Sequence, residues 1–437
     1  MDTGDTSWML VSTGLVMLMT PGLALFYGGM VQQKNVLSTF MHSFFALGLV
    51  TVVWVVVGYS LAFAPDVGGG LVGGFDFVFF KGVGVGAAPN APTVPHIVYA
   101  LYQCMFAIIT PALISGAYDE RIKFSAYLWF TLLWSLLVYA PLAHWVWAPD
   151  GWLMKLGALD FAGGTVVHLS SGVSALVAAL VIGKRIGYPQ MRHQPHNLTM
   201  TLIGAGLLWF GWFGFNGGSA LGSNGLAGLA FGNTHIAAAV GALAWGLVEY
   251  VRIKQVTMLG VASGLVAGLV AITPAAGFVS PASAMFIGLL AGLVCYGSVM
   301  LKARFGYDDT LDAFGVHGVG GLLGALLTGV LAEKAWNAAG SDGLLAGNGE
   351  LLLKQLAGVG AAAAFAGVAT FVLLKLIDLV IGVRVAPDEE REGLDATLHG
   401  ESGYAIGGGA GYHVHALGDR DAPHARIAGE PSTNPGA

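Results

Sequence analysis

The stretch Asp160-Phe-Ala-Gly-Gly-Thr-Val-Val-His168 decides the fold class, because it opens a long apolar segment and yet carries an acid and a histidine. A shorter echo, Asp312-Ala-Phe-Gly-Val-His317, opens a second apolar segment. Ionisable groups inside membrane-length apolar segments are costly and by default indicate function. We therefore expect the two histidines to share one role and the rest of the chain to be their setting.

Composition predicts a membrane protein. Of 437 residues, 55% are hydrophobic and only 10% are charged, with a mean hydropathy of +0.72, whereas soluble proteins average about 25% charged residues. Cys104 and Cys295 lie in apolar runs and indicate neither a disulfide nor a thiolate metal site. No long basic patch points to nucleic acid, and no basic region precedes the first apolar run as in a signal peptide.

An all-α membrane protein with eleven transmembrane helices follows from the segments of about 20 apolar residues that can cross a bilayer. We place them at 8–30, 37–62, 96–118, 124–146, 161–183, 199–219, 228–251, 256–274, 280–300, 310–332 and 350–382. Residues 1–383 then form the transmembrane domain and 384–437 a tail, whose end beyond about residue 410 is predicted to be disordered. Glycine, with 67 residues, favours close helix packing.

Orientation follows from the distribution of Lys and Arg, which accumulate in cytoplasmic connections. With the N-terminus outside, the inner loops and the tail hold Lys34, Arg121, Lys123, Lys184, Arg185, Arg192, Arg252, Lys254, Lys302, Arg304, Arg384, Arg391, Arg420 and Arg426. The outer loops hold only Lys81, Lys155 and Lys334. We therefore predict the N-terminus outside and the C-terminus inside, with a cytoplasmic tail.

An inverted repeat is indicated by two similarities, each offset by five spans. Phe26-Tyr-Gly-Gly29 resembles Phe215-Asn-Gly-Gly218, and the segment ending at His168 resembles the one ending at His317. Because five is odd, the second copy enters the membrane from the opposite side, which gives a 5+5 repeat plus a long final helix. Both histidines would then converge on one pore.

The intramembrane polar residues have both functional and structural interpretations. His168 and His317 can be packing residues, but their occurrence as a pair in related helices favours a role in lining a path. A histidine ring accepts a hydrogen bond with one nitrogen and donates with the other, so two facing rings can pass a proton or coordinate a polar solute. Asp160 and Asp312 are better explained as caps of helix starts, and Asp160 can also shape an outer vestibule.

Aromatic and hydroxyl residues also lie near the predicted outer helix ends. They are Phe106, Trp147, Trp152, Phe215 and Ser219. An aromatic belt at the lipid surface explains Trp152 well. For the others a cage that binds a small cation through ring faces stays open.

At this level of detail the sequence resembles the ammonium transporter family, close to its bacterial members. The motifs that carry the resemblance are Met19-Thr-Pro-Gly-Leu-Ala-Leu-Phe-Tyr-Gly-Gly29, Tyr118-Asp-Glu-Arg-Ile-Lys-Phe124, Asp160 to His168, Trp212-Phe-Gly-Phe-Asn-Gly-Gly-Ser219, Ala271-Ile-Thr-Pro-Ala-Ala-Gly277, Phe314-Gly-Val-His-Gly318 and Asp388 to Tyr404. They cover nearly the whole chain to about residue 404.

The resemblance implies a homotrimer in the inner (plasma) membrane, with one pore per subunit and no cofactor. It implies a recruitment site for ammonium, or its analogue methylammonium, at Phe106, Trp147 and Ser219. It also implies a gate formed by Phe106 and Phe215, and a pore lined by twin histidines at His168 and His317. The connection from the His144-Trp-Val-Trp147 motif to Asp160 is one residue longer than expected, so Trp152 stays a weaker candidate.

Regulation is implied as well, since a PII-type signalling protein closes bacterial relatives from the cytoplasmic face. The candidate surface consists of the loops around Lys34, Arg185 and Lys302, plus residues 384 to 404.

We expect the chain not to be an enzyme, and two rival functions, a membrane metalloenzyme and an ammonium sensor, are less favoured than transport. A metalloenzyme would use His168, His317, Asp160 and Asp312, but the two acids are predicted on opposite membrane sides and no typical ligand spacing accompanies them. A sensor would signal through the tail, yet no output module follows the last span. Whether ammonia alone crosses or a proton accompanies it stays open.

Overall fold

Long apolar helices account for most of the chain. The computed structural model describes residues 1–191 and 193–404. The helices of the bundle are α1 Thr3–Met30, α2 Gln33–Phe63, α3 His96–Ser115, α4 Phe124–Leu156, α5 Gly164–Ile182, α6 Leu198–Ala220, α7 Gly225–Ile253, α8 Met258–Ile272, α9 Pro281–Phe305, α10 Phe314–Leu331 and α11 Gly349–Ile381. Among the described residues, ten helices are long and apolar enough to cross a membrane, and α8 is shorter.

Smaller elements complete the described chain. A two-stranded antiparallel sheet, β1 Ala87–Ala88 and β2 Ala91–Pro95, precedes α3. Short helices α12 Pro387–Glu392 and α13 Leu394–His399 follow α11. Met1–Gly403 forms one compact unit that includes both short helices. The end of the tail, for which we predict disorder, lies outside the described residues.

Glycines let α1 pack closely and antiparallel against α6. A Cβ on Gly29 would lie 2.5 Å from the Asn197 carbonyl oxygen, and one on Gly204 would lie 2.3 Å from the Phe26 amide nitrogen. Small residues drive such contacts in membranes because apolar side chains gain nothing by leaving apolar lipid. The close packing expected from the glycine content is present at this pair.

The histidine-bearing helices α5 and α10 cross in the same close, antiparallel manner. A Cβ on Gly172 would lie 2.0 Å from the Gly318 amide nitrogen, and one on Gly321 would lie 2.7 Å from the Gly164 carbonyl oxygen. An inverted repeat requires this opposite running direction. The crossing places the first turns of both helices near the centre of the bundle.

One end of the bundle, called the tail end, brings the loops after α3, α5 and α9 together with residues 384–403. The Val385 amide donates to the Arg121 carbonyl oxygen, and Arg384 Nη2 donates to the Lys184 carbonyl oxygen at 2.6 Å. Lys34 Nζ donates to the Glu390 carbonyl oxygen at 3.0 Å. The first part of the tail is therefore bound to the bundle.

Arg185, one of the residues around which the partner surface is predicted, is buried. Its side chain is only 8% exposed and pairs with Glu120 Oε2 at 2.6 Å and with Asp308 Oδ1 at 2.7 Å. Lys302 is also engaged, with Asp312 Oδ1 at 2.5 Å. Buried cations need such partners because desolvation penalises an unpaired charge. Arg185 thus holds three loops together and is not available as a surface for another protein.

Candidate functional site

His168 and His317 lie side by side inside the bundle. Their Nδ1 atoms are 3.3 Å apart, and the ring centroids are 5.3 Å apart with planes inclined by 19°. The side chains are 1% and 4% exposed. Across this contact one ring donates and the other accepts, so two neutral rings satisfy it. A proton or a polar solute can therefore pass from one ring to the other.

Each histidine lies in a π-helical turn at the start of its helix, Gly164–Leu169 in α5 and Phe314–Gly318 in α10. Such turns are rare and often lie at functional sites. Among the described residues, His168 Nε2 is buried and has no hydrogen-bond partner. This nitrogen is left for a solute in the cavity beside it.

Asp160 caps α5 with both carboxylate oxygens. Oδ1 accepts from the amides of Gly163 and Gly164 at 2.9 and 2.7 Å, and Oδ2 accepts from those of Thr165 and Val166 at 2.9 and 3.0 Å. These are the amides that a helix start leaves without backbone partners. Burial raises the pKa of the Asp160 carboxyl, although the four amide hydrogen bonds oppose that shift. The cap expected of Asp160 is present.

Asp312 does not cap α10, contrary to the prediction. Asp309 does so instead, accepting from the amides of Ala313 and Phe314 at 3.0 and 2.8 Å. Asp312 has φ +61° and pairs with Lys302. A capping carboxylate must precede the free amides by most of a turn. Asp312 directly precedes Ala313 in the sequence and is therefore too close to these amides to accept from them. Burial raises the pKa of Asp309 to about 6.

Stacked aromatic rings separate the histidines from the end of the bundle opposite the tail. The centroids of Phe106 and Phe215 are 4.2 Å apart, with planes inclined by 32°, and both rings are buried. The Phe215 centroid lies 5.9 Å from that of His168. Trp212 stacks on His168 at 5.3 Å. Apolar ring surface therefore lies between His168 and Trp147.

Trp147 and Ser219 lie on the other side of these phenylalanines. The Trp147 ring meets Phe106 edge to face at 5.9 Å, and its indole nitrogen donates to the Asp160 carbonyl oxygen at 3.0 Å. Ser219 Oγ donates to the Phe215 carbonyl oxygen at 2.8 Å. Trp152, the weaker candidate, packs against Trp145 instead. The predicted recruitment residues are thus neighbours, and Trp152 is not among them.

Two small cavities continue along this path. The first reaches from Phe215 past His168 to His317, and its volume is about 10 Å³. That is about the least volume that holds one water. The second, about 40 Å³, continues from His317 to Asp312. Each cavity is large enough for a molecule the size of water and too small for a hydrated ion.

The four residues of the rival metal site do not form a cluster. Asp160 is occupied by four amides, and Asp312 pairs with Lys302. Within residues 1–191 and 193–404, no group of three or more His, Cys, Asp or Glu side chains is placed to hold a metal ion. The geometry gives the metalloenzyme interpretation no support.

Three neighbours of the site had no role assigned from the sequence. They are Trp212, Tyr102 and Asp309. Tyr102 lies one turn before Phe106, and its hydroxyl lies 3.2 Å from Ser219 Oγ. Asp309 precedes His317 by eight residues, the same spacing as from Asp160 to His168. That equal spacing is the signal that identifies Asp309. Trp212 belongs to the motif that runs from Trp212 to Ser219, but nothing in the sequence shows that its ring faces His168.

Comparison with known proteins shows which chains this sequence and this fold are similar to. The model of the Ammonium Transporter Family matches residues 7–404. The chain is 52% identical over 405 residues to the ammonium transporter of Bacillus subtilis, covering 92% of this chain and 99% of that protein. The crystal structure of Saccharomyces cerevisiae Mep2 is similar at a TM-score of 0.84 and 39% identity, covering 89% and 88% of the two chains. A sensor Amt protein is similar at 0.82 and 30% identity, covering 90% and 97%.

Proposed function

Because the chain belongs to the Ammonium Transporter Family, we propose that it recruits ammonium at the end opposite the tail, removes a proton and conducts ammonia past His168 and His317. The observation that carries the proposal is the contact of two buried histidines beside a cavity of about the volume of one water molecule. Curated relatives are named as transporters, and ammonium is the substrate that family membership supports.

Recruitment is assigned to Phe106, Trp147 and Ser219. The Ser219 hydroxyl hydrogen is engaged by the Phe215 carbonyl oxygen, so the Ser219 oxygen is left to accept a hydrogen bond from ammonium. Aromatic ring faces attract a cation by about 2 kcal/mol or more once it is desolvated. Together they can replace part of the hydration shell of ammonium.

In the proposed mechanism, deprotonation provides the selectivity for ammonium over potassium. The gate formed by Phe106 and Phe215 is apolar and closed, and burying an unpaired cation there costs several kcal/mol. Ammonium can avoid that cost by leaving a proton behind, whereas potassium has no proton to lose. Neutral ammonia then passes when the rings rotate. The histidines relay the proton if transport is electrogenic.

The proton relay is tested by His168→Ala, His317→Ala and the double variant in proteoliposomes. Ammonium pulses are recorded by solid-supported-membrane electrophysiology, with potassium pulses and several pH gradients for comparison. We expect the ammonium current or methylammonium uptake to be abolished or profoundly altered. His399→Ala, which removes a histidine from the tail, should leave both unchanged. Wild-type flux with unchanged selectivity in the double variant would refute the relay.

We place the chain in the inner (plasma) membrane as a multi-pass protein, with the tail end inside. The excess of Lys and Arg on that side supports this orientation. Single cysteines at Ser402 and at Thr3, in a background without Cys104 and Cys295, test it with a membrane-impermeant thiol reagent. Labelling of Thr3→Cys alone in intact cells is expected, and labelling of Ser402→Cys alone would reverse the orientation.

Family membership supports a homotrimer. One exposed face of α6 and α7 supports it as well, because a neighbouring subunit could cover that face. Phe213 and Phe231 stack there at 3.9 Å, and His235 stacks on Trp209 at 5.2 Å. His235 is exposed, and a polar ring in a membrane span is costly unless protein covers it. Native mass spectrometry is expected to show three copies, and a monomer at all concentrations would contradict this.

A PII-type protein is the proposed regulator at the tail end. With Arg185 buried and Lys302 paired, its surface must come from the tail and the exposed loops. Pull-down with the full chain but not with a form ending at Val383 would support the partner. Because residues 384–403 are packed on the bundle, a second test is needed: exchanging the charges of the exposed Asp388–Arg391 pair should weaken binding without unfolding. Equal binding of the PII-type protein by all forms would show that the tail is not part of the interface.

The similarity to a sensor Amt protein supports one alternative, an ammonium sensor that signals through its tail. The electrophysiology described above distinguishes a sensor from a transporter. Sustained ammonium flux in the pulse experiment identifies a transporter, whereas ammonium binding without flux identifies a sensor.

A further inference from the structure

The motif Ala271-Ile-Thr-Pro-Ala-Ala-Gly277 forms a bend at the end of α8, called the 271–277 bend, and has no part in the proposed function. Thr273 follows the last residue of α8 and is fully buried. Its hydroxyl donates to the Leu269 carbonyl oxygen at 2.8 Å, and its oxygen accepts from Trp212 Nε1 at 2.9 Å. We propose that Thr273 is a positioning residue, which holds the Trp212 ring beside His168 and thereby restricts the path to ammonia rather than a methylated amine. The proposal rests on the proposed function, since it concerns which amines cross the same path.

The hydrogen bond between Trp212 and Thr273 can run in only one direction. An indole nitrogen donates and never accepts, and the Thr273 hydrogen is engaged by the Leu269 carbonyl oxygen. The Thr273 oxygen is therefore left to accept from the ring. Because Trp212 is only 2% exposed, its N–H group would lose its hydrogen bond at a cost in free energy if the ring turned away. The bond thus fixes the rotation of the indole ring.

The 271–277 bend is itself fixed to the start of α5. The Phe161 amide donates to the Pro274 carbonyl oxygen at 3.1 Å. The Pro274 ring packs directly on Gly164, where a Cβ would lie 2.4 Å from Pro274 Cγ. Gly164 opens the π-helical turn that carries His168. Thr273 is therefore held at a defined place relative to the helix that carries this histidine.

The position of the Trp212 ring decides the width of the path beside His168. The centroids of these two rings are 5.3 Å apart and their planes are inclined by 20°, nearly the same arrangement as that of His168 and His317. All three rings line the cavity of about 10 Å³, which is about the least volume that holds one water. Ammonia is of that size, whereas methylamine carries an additional methyl group, and closely packed sites tolerate added methyl groups poorly. A fixed Trp212 ring therefore favours ammonia over methylamine.

The hydroxyl of Thr273 can be removed with almost no change of shape. Thr273→Val keeps the branched side chain without the hydroxyl, whereas Thr273→Ser keeps the hydroxyl. Thr328→Val is the matched control, because Thr328 is also buried and donates to the carbonyl oxygen four residues before it, that of Gly324, at 2.9 Å. Thr328 follows His317 by eleven residues on α10, about 16 Å along the helix at ~1.5 Å per residue. A difference between the two Val variants therefore reports on Trp212 and not on the loss of a buried hydroxyl.

The ratio of methylammonium to ammonium flux in proteoliposomes tests the proposal. One methyl group changes selectivity by about 10- to 200-fold in a fitted apolar site, so we expect Thr273→Val to raise the ratio about fivefold or more. Thr273→Ser and Thr328→Val should keep the wild-type ratio. Trp212→Phe, which replaces the ring by a smaller one, should raise the ratio by itself, and Thr273→Val should add nothing in that background. A merely structural role of Thr273 would lower both fluxes alike and leave the ratio unchanged.

The orientation of Trp212 is measured separately, without transport. The full chain is labelled with 5-fluorotryptophan, and the fluorine resonance that disappears in Trp212→Phe belongs to Trp212. We expect this resonance to shift in Thr273→Val and to stay in place in Thr273→Ser and Thr328→Val. A wild type without flux would count against the proposed function, and the resonance would still decide whether Thr273 positions Trp212.

Three outcomes would overturn the proposal. One is a wild-type flux ratio in Thr273→Val or in Trp212→Phe, which is decisive even if Thr273→Val does not fold. Another is a further rise of the ratio when Thr273→Val is added to Trp212→Phe, because Thr273 would then act independently of the ring. The third is an unshifted Trp212 resonance in Thr273→Val.

Discussion

At the scale of single residues, the polar groups buried in this apolar bundle divide into two kinds. Asp160, Asp309 and Arg185 have their hydrogen-bonding capacity taken up by named partners, which makes them structural. His168 differs, because its Nε2 atom is buried without a partner among the described residues. An unsatisfied buried nitrogen costs free energy, so its presence beside a cavity supports a role in conduction.

The assignment of the α10 cap to Asp309 makes a direct prediction. Asp309→Ala removes the acceptor of two buried amides and should lower the free energy of unfolding by about 2 to 4 kcal/mol. Asp312→Ala removes a pair in which the Asp312 side chain is 33% exposed, and should cost about 1 kcal/mol or less. Thermal unfolding in detergent measures both. The reverse order of the two losses would restore Asp312 as the cap.

At the scale of elements, one unit occurs twice: a capping aspartate, a π-helical turn with a histidine, and a glycine four residues after the histidine. Gly172 and Gly321 are those glycines, and each lies where the partner helix comes closest. A side chain on either glycine would force the helices apart. The contact between the two histidines depends on this close crossing.

Gly172→Ala tests that dependence. Its Cβ would lie 2.0 Å from the Gly318 amide nitrogen, so we expect a loss of about 1 to 3 kcal/mol in stability and a reduced ammonium current. Gly206→Ala is the matched control on α6, since its Cβ meets no atom within 4 Å. That variant should be unchanged or stabilised by about 0.5 to 1 kcal/mol. Normal current in Gly172→Ala would mean that the crossing tolerates separation.

At the scale of the whole molecule, Arg185 joins parts of the chain that are far apart in sequence. Its guanidinium contacts Glu120 and Asp308, while Glu390 of the tail accepts from the adjacent Ile186 amide at 2.7 Å. The loops after α3, α5 and α9 and the tail are thus parts of one network.

Arg185→Gln should therefore destabilise the molecule strongly. It removes the cation that pairs with both Glu120 and Asp308, and breaking a buried pair typically costs about 3 to 5 kcal/mol. Arg391→Gln is the control, because its pair with Asp388 is exposed and contributes about 0 to 1 kcal/mol. Unfolding in detergent at pH 7 compares them. Equal melting temperatures for the two variants would show that the network contributes little.

The same network gives a pH dependence of defined sign. Burial alone would raise the pKa of Asp308, but hydrogen bonds and the charge of Arg185 lower it to about 2, from 3.8. A lowered pKa contributes stability above pH 3.8 that is lost as the pH falls toward 2. The difference in melting temperature between wild type and Arg185→Gln should shrink over that window. A difference constant down to pH 2 would contradict the assignment.

Much of this protein follows from local pattern alone. Apolar length placed most span ends within about five residues of the helix ends, since a bilayer imposes one length on any helix that crosses it. The exception is α4, which ends at Leu156, whereas the predicted span ends at residue 146. Motif spacing identified His168 and His317 and the family. Phe106, Trp147, Phe215 and Ser219 were grouped by resemblance, and they are neighbours in the structure.

Only the tertiary structure decided which of several equivalent residues does what. Asp309 and Asp312 are both acids before α10, and only the backbone path shows which one reaches the free amides. Arg185 reads as a loop cation until Glu120 and Asp308, 65 and 123 residues away, are brought to it. Composition and spacing report on each segment separately, whereas hydrogen bonds and ion pairs depend on direction and on distances across the chain.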